Sequence, residues 1–301
     1  MTRAVVFAYH DVGVRCLSVL LDHGVEVPLV VTHEDDPGET IWFRSVAELA
    51  RGRGIPVIAS DRPKDPALAS RVAALAPDFL FSFYYRRMIP DAVLRSARRG
   101  ALNMHGSLLP KYRGRAPVNW AILNGETETG ATLHTMESRA DAGPIFGREA
   151  VPILPDDTAL DVFGKVTAAA GRLLDGVLPS LIDGTAVATP QIEANATTFG
   201  GRRPEDGRID WSGTAASVHN LVRAVAPPYP GAFTSLRGEK VLIHRTRREA
   251  TAPHRASPRH LYGDGGVCYA VCGDGGTVRL LAASVDLEAL ARETDGRPLP
   301  L

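Results

Sequence analysis

Asn103 and His105 stand two residues apart at the end of the apolar run Ala101–Met104. A β-strand alternates its side chains with a period of two, so this spacing points both groups to one face. An amide donor beside an imidazole can hold a developing oxyanion while a proton is moved. Taken alone, Asn-x-His is a weak signal, because a histidine at a strand end can equally hydrogen-bond a loop. The neighbouring residues add weight. Gly106 and Gly114 permit positive φ or close approach, Pro110 and Pro117 stiffen the loop, and Lys111, Arg113 and Arg115 crowd it with positive charge. A solvated basic loop is the plain alternative for at least one of those cations. Asp141, in Arg139-Ala-Asp-Ala-Gly143, is a carboxylate in a loop just after a strand. Within reach of His105 it would raise the imidazole pKa and favour the protonated ring near neutrality; as a turn residue it would do neither.

The elements that must carry these groups are legible in the hydrophobic pattern. Short apolar runs at Ala4–Ala8, Val27–Val31, Ile55–Ile58, Phe79–Phe83 and Ala101–Met104 alternate with helical stretches at Val12–His23, Ser45–Arg53, Pro66–Leu75 and Asp91–Ser96. This alternation predicts an α/β fold, a Rossmann-like, doubly wound and mostly parallel sheet. Asn103 and His105 would then leave the sheet at its carboxyl edge, where open α/β sheets bind ligands. Thr129–Met136 and Pro144–Ile153 read as extended, and a long helix follows from about Thr158 to Ile182. We therefore expect a catalytic domain over 1–184 and a polar, irregular linker over 185–208. A small β-rich, barrel-like domain over 209–301 follows, with a helix at Thr214–Val225. Its strands lie in Ala232–Arg245 and Val267–Ala283, broken by Gly263-Asp-Gly-Gly266 and Gly273-Asp-Gly-Gly276.

Composition narrows the partners. Lys plus Arg equals Asp plus Glu at 34 each across 301 residues, so no global field draws the chain to nucleic acid or an anionic membrane. Cys16, Cys268 and Cys272 are odd in number and lack metal-ligand spacing, so they read as buried small hydrophobes in a reducing cytoplasm. The apolar run after Met1 is too short for a signal peptide and reads as a first strand; membrane insertion and a metal are not expected. The turn after that strand, Tyr9-His-Asp-Val-Gly13, lacks the glycine-rich fingerprint that lets a dinucleotide pyrophosphate approach, which argues against NAD.

Asn103-Met-His-Gly-Ser-Leu-Leu-Pro110, followed by Lys111-Tyr-Arg-Gly-Arg-Ala-Pro117, Gly125-Glu-Thr-Glu-Thr-Gly130 and Asp141-Ala-Gly143, resembles the folate-dependent formyltransferase family. Three further segments, Phe7-Ala-Tyr-His-Asp11, Phe81-Ser-Phe-Tyr-Tyr-Arg86 and Phe199-Gly-Gly through Ile209-Asp-Trp211, are most similar to one branch. That branch is the formyltransferase domain of the bifunctional polymyxin-resistance protein, which formylates UDP-4-amino-4-deoxy-L-arabinose for lipid A modification. The resemblance runs from Ala4 to about Arg245, and it implies a Rossmann-like domain followed by a small barrel-like one.

By matching position, the resemblance implies that Asn103 stabilises the tetrahedral intermediate, His105 is the cationic acid–base group and Asp141 raises its pKa. Arg115 matches a substrate or folate contact. Arg87, Met88 and Ile89 match the wall of the 10-formyltetrahydrofolate pocket, as do Glu137, Ser138, Arg139, Ala140 and Asp141. Arg87 stands where the branch carries histidine, so its contact would rest on backbone atoms. The implied reaction is attack of a sugar 4-amino group, most closely that of the UDP-arabinose compound, on the formyl carbon. Methionyl-tRNA and a dTDP-4-amino-deoxyhexose are the alternative acceptors. A tRNA needs a basic surface, and His244-Arg-Thr-Arg-Arg248 through Arg255 and Arg259 reads rather as a solvated edge and loop. Relatives acting on tRNA also carry alanine after the histidine, where this chain has Gly106. The bifunctional relative continues into a decarboxylating dehydrogenase for which 301 residues leave no room. A stand-alone enzyme with a separate decarboxylase of the same pathway is therefore expected, and Arg297-Pro-Leu-Pro-Leu301 looks like a natural terminus.

Overall fold

The computed structural model describes residues 1–250 and 257–301, which form two compact units. The first takes in Met1–Pro117, Thr129–Val151 and Gly164–Phe199; the second takes in Val118–Glu128, Pro152–Phe163 and Gly200–Leu301.

The first unit opens with β1 (Arg3–Ala8), α1 (His10–Asp22), β2 (Glu26–Thr32), α2 (Val46–Gly52) and β3 (Val57–Ala59). It continues through α3 (Pro66–Ala74), β4 (Phe79–Phe83), α4 (Asp91–Leu94), β5 (Gly100–His105) and the two-residue β6 (Arg113–Gly114). After α5 (Pro117–Leu123), which beyond Pro117 belongs to the second unit, come β7 (Glu128–Thr135), β8 (Ile145–Pro152), the long α6 (Ala159–Asp183), which belongs to the first unit from Gly164 on, and the two-residue β9 (Thr198–Phe199). One sheet runs in the order β3-β2-β1-β4-β5-β7-β8. Its first five strands pair in parallel, and β7 pairs antiparallel to β5. Val5, Phe7, Leu80, Phe81 and Phe83 are completely buried, as expected of central parallel strands covered on both faces. The helix ends follow local rules. Ser45 caps α2 by accepting from Glu48 N–H, and Asp65 caps α3 by accepting from Ala67 N–H, with Pro66 at the first helical position. Gly24 and Gly54, both at φ +70°, follow the ends of α1 and α2.

The second unit contains α7 (Ala215–Ala224), β10 (Ala232–Leu236), β11 (Glu239–Glu249), β12 (His260–Asp264), β13 (Val267–Val271), β14 (Thr277–Ala283), α8 (Leu287–Thr294) and β15 (Leu299–Pro300). Its strands form a curled antiparallel sheet in the order β10-β11-β14-β13-β12-β15, the barrel-like β-rich unit expected. Trp211, Val218, Val222, Ile243, Leu261 and Leu280 are among the residues of its core.

Three expectations change in detail. Pro117 opens α5 rather than stiffening a loop, because proline is pre-set for a first helical turn. Gly263 and Asp264 belong to β12; the turn is Gly265-Gly266, both at positive φ, as a tight hairpin requires. The helix α8 was not expected, although Asp286 caps it by accepting from Glu288 and Ala289 N–H. His244–Arg248 lies on β11 beyond Ile243, where the pairing with β10 ends, so this stretch pairs with β14 alone and its arginines are exposed, as a solvated edge requires; Arg255 falls outside the described residues. Cys16, Cys268 and Cys272 are free and buried. Among the described residues no helix is long and apolar enough to cross a membrane, and no group of three or more metal-ligating side chains occurs.

Candidate active site

The last turn of sheet geometry at β5 sets the site. Its register against β7 places Asn103 opposite His134 and His105 opposite Thr132. The loop after β7 then carries Asp141 back to both. Asp141 Oδ1 lies 3.6 Å from His105 Nδ1, 3.5 Å from His134 Nε2 and 3.4 Å from Asn103 Nδ2. Its other oxygen, Oδ2, accepts from Gly114 N–H at 2.8 Å. The three residues singled out from sequence therefore meet, and they meet on one carboxylate.

Backbone carbonyls settle the proton positions. His105 Nε2 contacts Tyr112 O at 2.7 Å, and a carbonyl can only accept, so Nε2 carries a proton. That leaves Nδ1 facing Asp141, where a second proton makes the contact an ion pair instead of a lone pair against an anion. His134 Nδ1 contacts Thr135 O at 2.8 Å and is protonated by the same logic. Its Nε2 lies 3.1 Å from Asn103 Nδ2 and 3.5 Å from Asp141 Oδ1, so it accepts from the amide when the ring is neutral and donates to the carboxylate when the ring is protonated. Both amide hydrogens of Asn103 are thus engaged. To donate to an oxyanion, Asn103 must release one, and the 3.4 Å contact to Asp141 is the weaker.

Burial alone would raise the Asp141 carboxyl. The opposing influences are larger: the His105 charge first, then His134 and the Gly114 N–H, and together they hold it well below the usual carboxylate range. The carboxylate sits on strained backbone, with Asp141 at φ +54°, and Tyr112 and Ala116 on the facing loop are at +60° and +52°. Non-glycine residues in this region cost on the order of 1–3 kcal/mol each and persist where the surroundings over-determine them.

Those surroundings are specific. Gln191 Nε2 donates to both Asp141 O and Gly143 O at 2.8 Å. Gly143 has no room for a Cβ, which would fall on Thr135 O. Thr132 Oγ1 donates to Ser107 O at 2.6 Å and accepts from Leu109 N–H, clipping the Ser-Leu-Leu-Pro loop to β7. Ser107 Oγ donates to Lys111 O at 2.7 Å and closes that loop on itself. Of the three loop cations, Arg113 is buried and structural: it reaches Gln191 Oε1 at 2.8 Å and both oxygens of Glu193 at 3.1 Å. Arg115 is exposed, as is Lys111.

The expected pocket residues are spread around this centre. Glu137, Ser138, Arg139 and Ala140 are exposed, and Arg139 pairs with Glu193 at 2.7 Å. Arg87 and Met88 are exposed and Ile89 is buried, on the loop leaving β4, the strand beside β5. Sequence reading missed His134, Gln191 and Glu193. His134 had a signal, since it lies on an alternating strand with its side chain on the Thr132 face. Gln191 and Glu193 had none, because residues 185–199, expected as linker, show no period and gain meaning only by packing in the first unit.

Gly106 adds a steric constraint. A Cβ there would fall on the Tyr84 hydroxyl, and Tyr84 is itself at φ +60°. Gly106→Ala is expected to displace the Tyr84 ring from the residue that follows His105, lowering kcat/KM by about tenfold and stability by about 1–3 kcal/mol. Adding Tyr84→Phe, which removes the oxygen in closest conflict, should restore part of both. Steady-state kinetics and thermal melts of the single and double variants check this; a silent G106A would refute the constraint.

Two family models match the chain. The formyl transferase family model matches residues 16–178, and the family's C-terminal domain model matches residues 202–289. Solved structures share the fold at low identity. One is an N-formyltransferase from Helicobacter canadensis, solved with folinic acid and dTDP-3-aminofucose; it is 20% identical, with TM-score 0.74 over 93% of this chain and 99% of that one. WlaRD, a sugar 3N-formyltransferase solved with dTDP and 5-N-formyltetrahydrofolate, is 19% identical, with TM-score 0.73 over 93% and 97% of the two chains. A sugar N-formyltransferase from Shewanella is 19% identical, with TM-score 0.66 over 81% and 97%. With both domain models matched in order and the Asn103–His105–Asp141 constellation assembled, the chain belongs to the formyl transferase family.

Proposed function

We propose that this formyl transferase moves the formyl group of 10-formyltetrahydrofolate onto the amino group of a nucleotide-linked amino sugar. The observation that carries the reading is the convergence of Asn103, His105 and His134 on the Asp141 carboxylate. The folate, when bound, supplies an electrophilic formyl carbon on nitrogen. Asn103 Nδ2 and a protonated His105 donate to the oxygen that gains charge as the neutral amine adds; His105 then passes its proton to the departing nitrogen and takes back the proton that the attacking amine sheds, which restores the imidazolium. His105 Nε2–H leaves the Tyr112 carbonyl to do so, and Asp141 holds the positive charge on the ring. Arg87, Met88 and Ile89, with the Glu137–Asp141 loop, would hold the donor. The side chains present suit it: an exposed methionine for a flat apolar body and several cations for carboxylates.

The acceptor we favour is UDP-4-amino-4-deoxy-L-arabinose, on the strength of Phe7–Asp11, Phe81–Arg86 and the Phe199–Trp211 segment. A dTDP-linked amino sugar is the second reading, supported by the compounds in the Helicobacter and WlaRD structures. Gly106 against Tyr84 argues against methionyl-tRNA, since alanine after the histidine would collide with that ring. A competition assay with 10-formyltetrahydrofolate and all three acceptors tests the choice. Formylation of the UDP-arabinose compound at least tenfold faster than the others is expected. A preference for a dTDP-amino sugar moves the assignment to the second reading, and formylation of methionyl-tRNA alone overturns the sugar reading.

A further inference from the structure

Both ring nitrogens of His105 face groups that lean on one short stretch of chain, residues 191–199. On one side stands the Tyr112 carbonyl, 2.7 Å from Nε2. Tyr112 donates its own N–H to Thr197 Oγ1 at 2.8 Å, and its ring stacks on Phe199 with centroids 5.1 Å apart. The N–H groups of Arg113 and Arg115 donate to Thr197 O at 2.9 Å and Phe199 O at 3.0 Å, which lays β6 against β9. On the other side stands Asp141, and its carbonyl is held by the Gln191 amide.

Gln191 uses every hydrogen-bonding position of that amide. Nε2 has two hydrogens and gives one each to Asp141 O and Gly143 O, both at 2.8 Å. Oε1 has two lone pairs and accepts from Arg113 Nη2 at 2.8 Å and Nε at 3.2 Å. Arg113 is buried and also bound to both oxygens of Glu193, so the amide is anchored on a fixed cation. The two carbonyls flank Ala142 in a turn whose first residue, Asp141, sits at φ +54°. The direction of the Asp141 side chain therefore depends on where those carbonyls are held. A carboxylate at position 191 would have no hydrogen to give them.

We propose that Gln191 is a positioning residue of the transfer reaction, tying the Asp141 turn to the Tyr112–Arg113 loop and so fixing the carboxylate against the His105 ring. This rests on the reading above that His105 carries the acid–base step beside the Asp141 anion. His134, with Nε2 3.5 Å from the same Asp141 oxygen, is a second titratable group there, its ring centroid 6.4 Å from that of His105. Lys111 and Arg115 are exposed on the loop after His105, and Arg113 and Arg139 are both paired to Glu193. Gln191 carries no charge. Its replacement by the neutral methionine acts on His105 by moving Asp141, not by changing the field directly.

Two measurements on the full chain test this: titration of the His105 ring by NMR, and the pH profile of formyl transfer. In Gln191→Met the ring titration and the alkaline arm of kcat should both move toward acid. The accompanying fall in kcat should be about 10- to 100-fold, the scale of a reacting group misplaced by about 1 Å. Asp141→Asn leaves no carboxylate to place, so adding Gln191→Met to it should move the titration no further and lower kcat less than about twofold. Gln191→Glu, which keeps the acceptor for Arg113 and loses both donors, should lose kcat to a similar extent. Melting temperatures serve as the folding control. A His105 titration unmoved in Gln191→Met, or the same loss with and without the Asp141 carboxylate, overturns the positioning role and leaves formyl transfer intact. A His105 titration that shifts as expected in a protein that formylates no amine overturns the reading above and leaves Gln191 as the residue that places Asp141.

Discussion

Asn103→Ala is expected to lower kcat by about 100- to 1,000-fold, the usual cost of one oxyanion donor. KM for either substrate should change far less, because the interaction strengthens only as charge develops on the formyl oxygen. His105→Ala should fall at least as far, since it removes a donor and the proton carrier together. Neither loss can be assigned to unfolding if the melting temperature is followed. In the free enzyme Asn103 donates to His134 Nε2 at 3.1 Å, so the truncation leaves one buried acceptor unsatisfied. That costs about 1–3 kcal/mol, or several degrees, and the variant stays folded at assay temperature. Truncating His105 likewise leaves the Tyr112 carbonyl without its 2.7 Å donor. Turnover within tenfold of wild type in either variant would remove that residue from the proposed chemistry.

The two strand-end residues were legible because a period of two is a local rule, and β5 obeys it from Gly100 to His105. The parallel sheet was legible for the same reason, as runs such as Phe79–Phe83 are buried along their whole length. What joins Asp141 to that strand end is not local. It depends on β7 returning antiparallel to β5 and on Gln191 pinning the Asp141 and Gly143 carbonyls from a stretch without hydrophobic rhythm. Arg113 shows the converse. Its sequence setting suggests a solvated loop, yet Gln191 and Glu193 draw it into the interior. The helix α8 is a different kind of miss: Asp286 followed by Leu287, Leu290 and Ala291 carries a cap and an apolar face, both readable without tertiary information.

Asp141→Asn separates the charge of this residue from its shape. The asparagine can keep one carbonyl-type oxygen, and Gly114 N–H at 2.8 Å is its best donor. That choice turns an NH2 toward His105 Nδ1 and Asn103 Nδ2, setting donors against donors. The opposite choice abandons Gly114 on backbone already strained at Asp141 and Ala116. Either way the imidazolium of His105 loses the anion 3.6 Å from Nδ1. We expect kcat to fall about 100-fold or more, in the range of a lost acid–base contribution. The pH profile distinguishes this from a packing defect. With the neighbouring carboxylate gone, the protonated ring is less favoured, and the alkaline arm of kcat should move toward acid. The acid side carries its own check. Asp141 is held below the ordinary carboxylate range, so the stability it contributes is complete above about pH 4 and is lost only as pH falls through its depressed value. Wild-type activity should therefore show no acid arm from this group in mild acid, and Asp141→Asn should not change that limb. A uniform loss of activity at every pH, with the alkaline arm unmoved, would reduce Asp141 to a structural support and leave His105 without its proposed counter-charge.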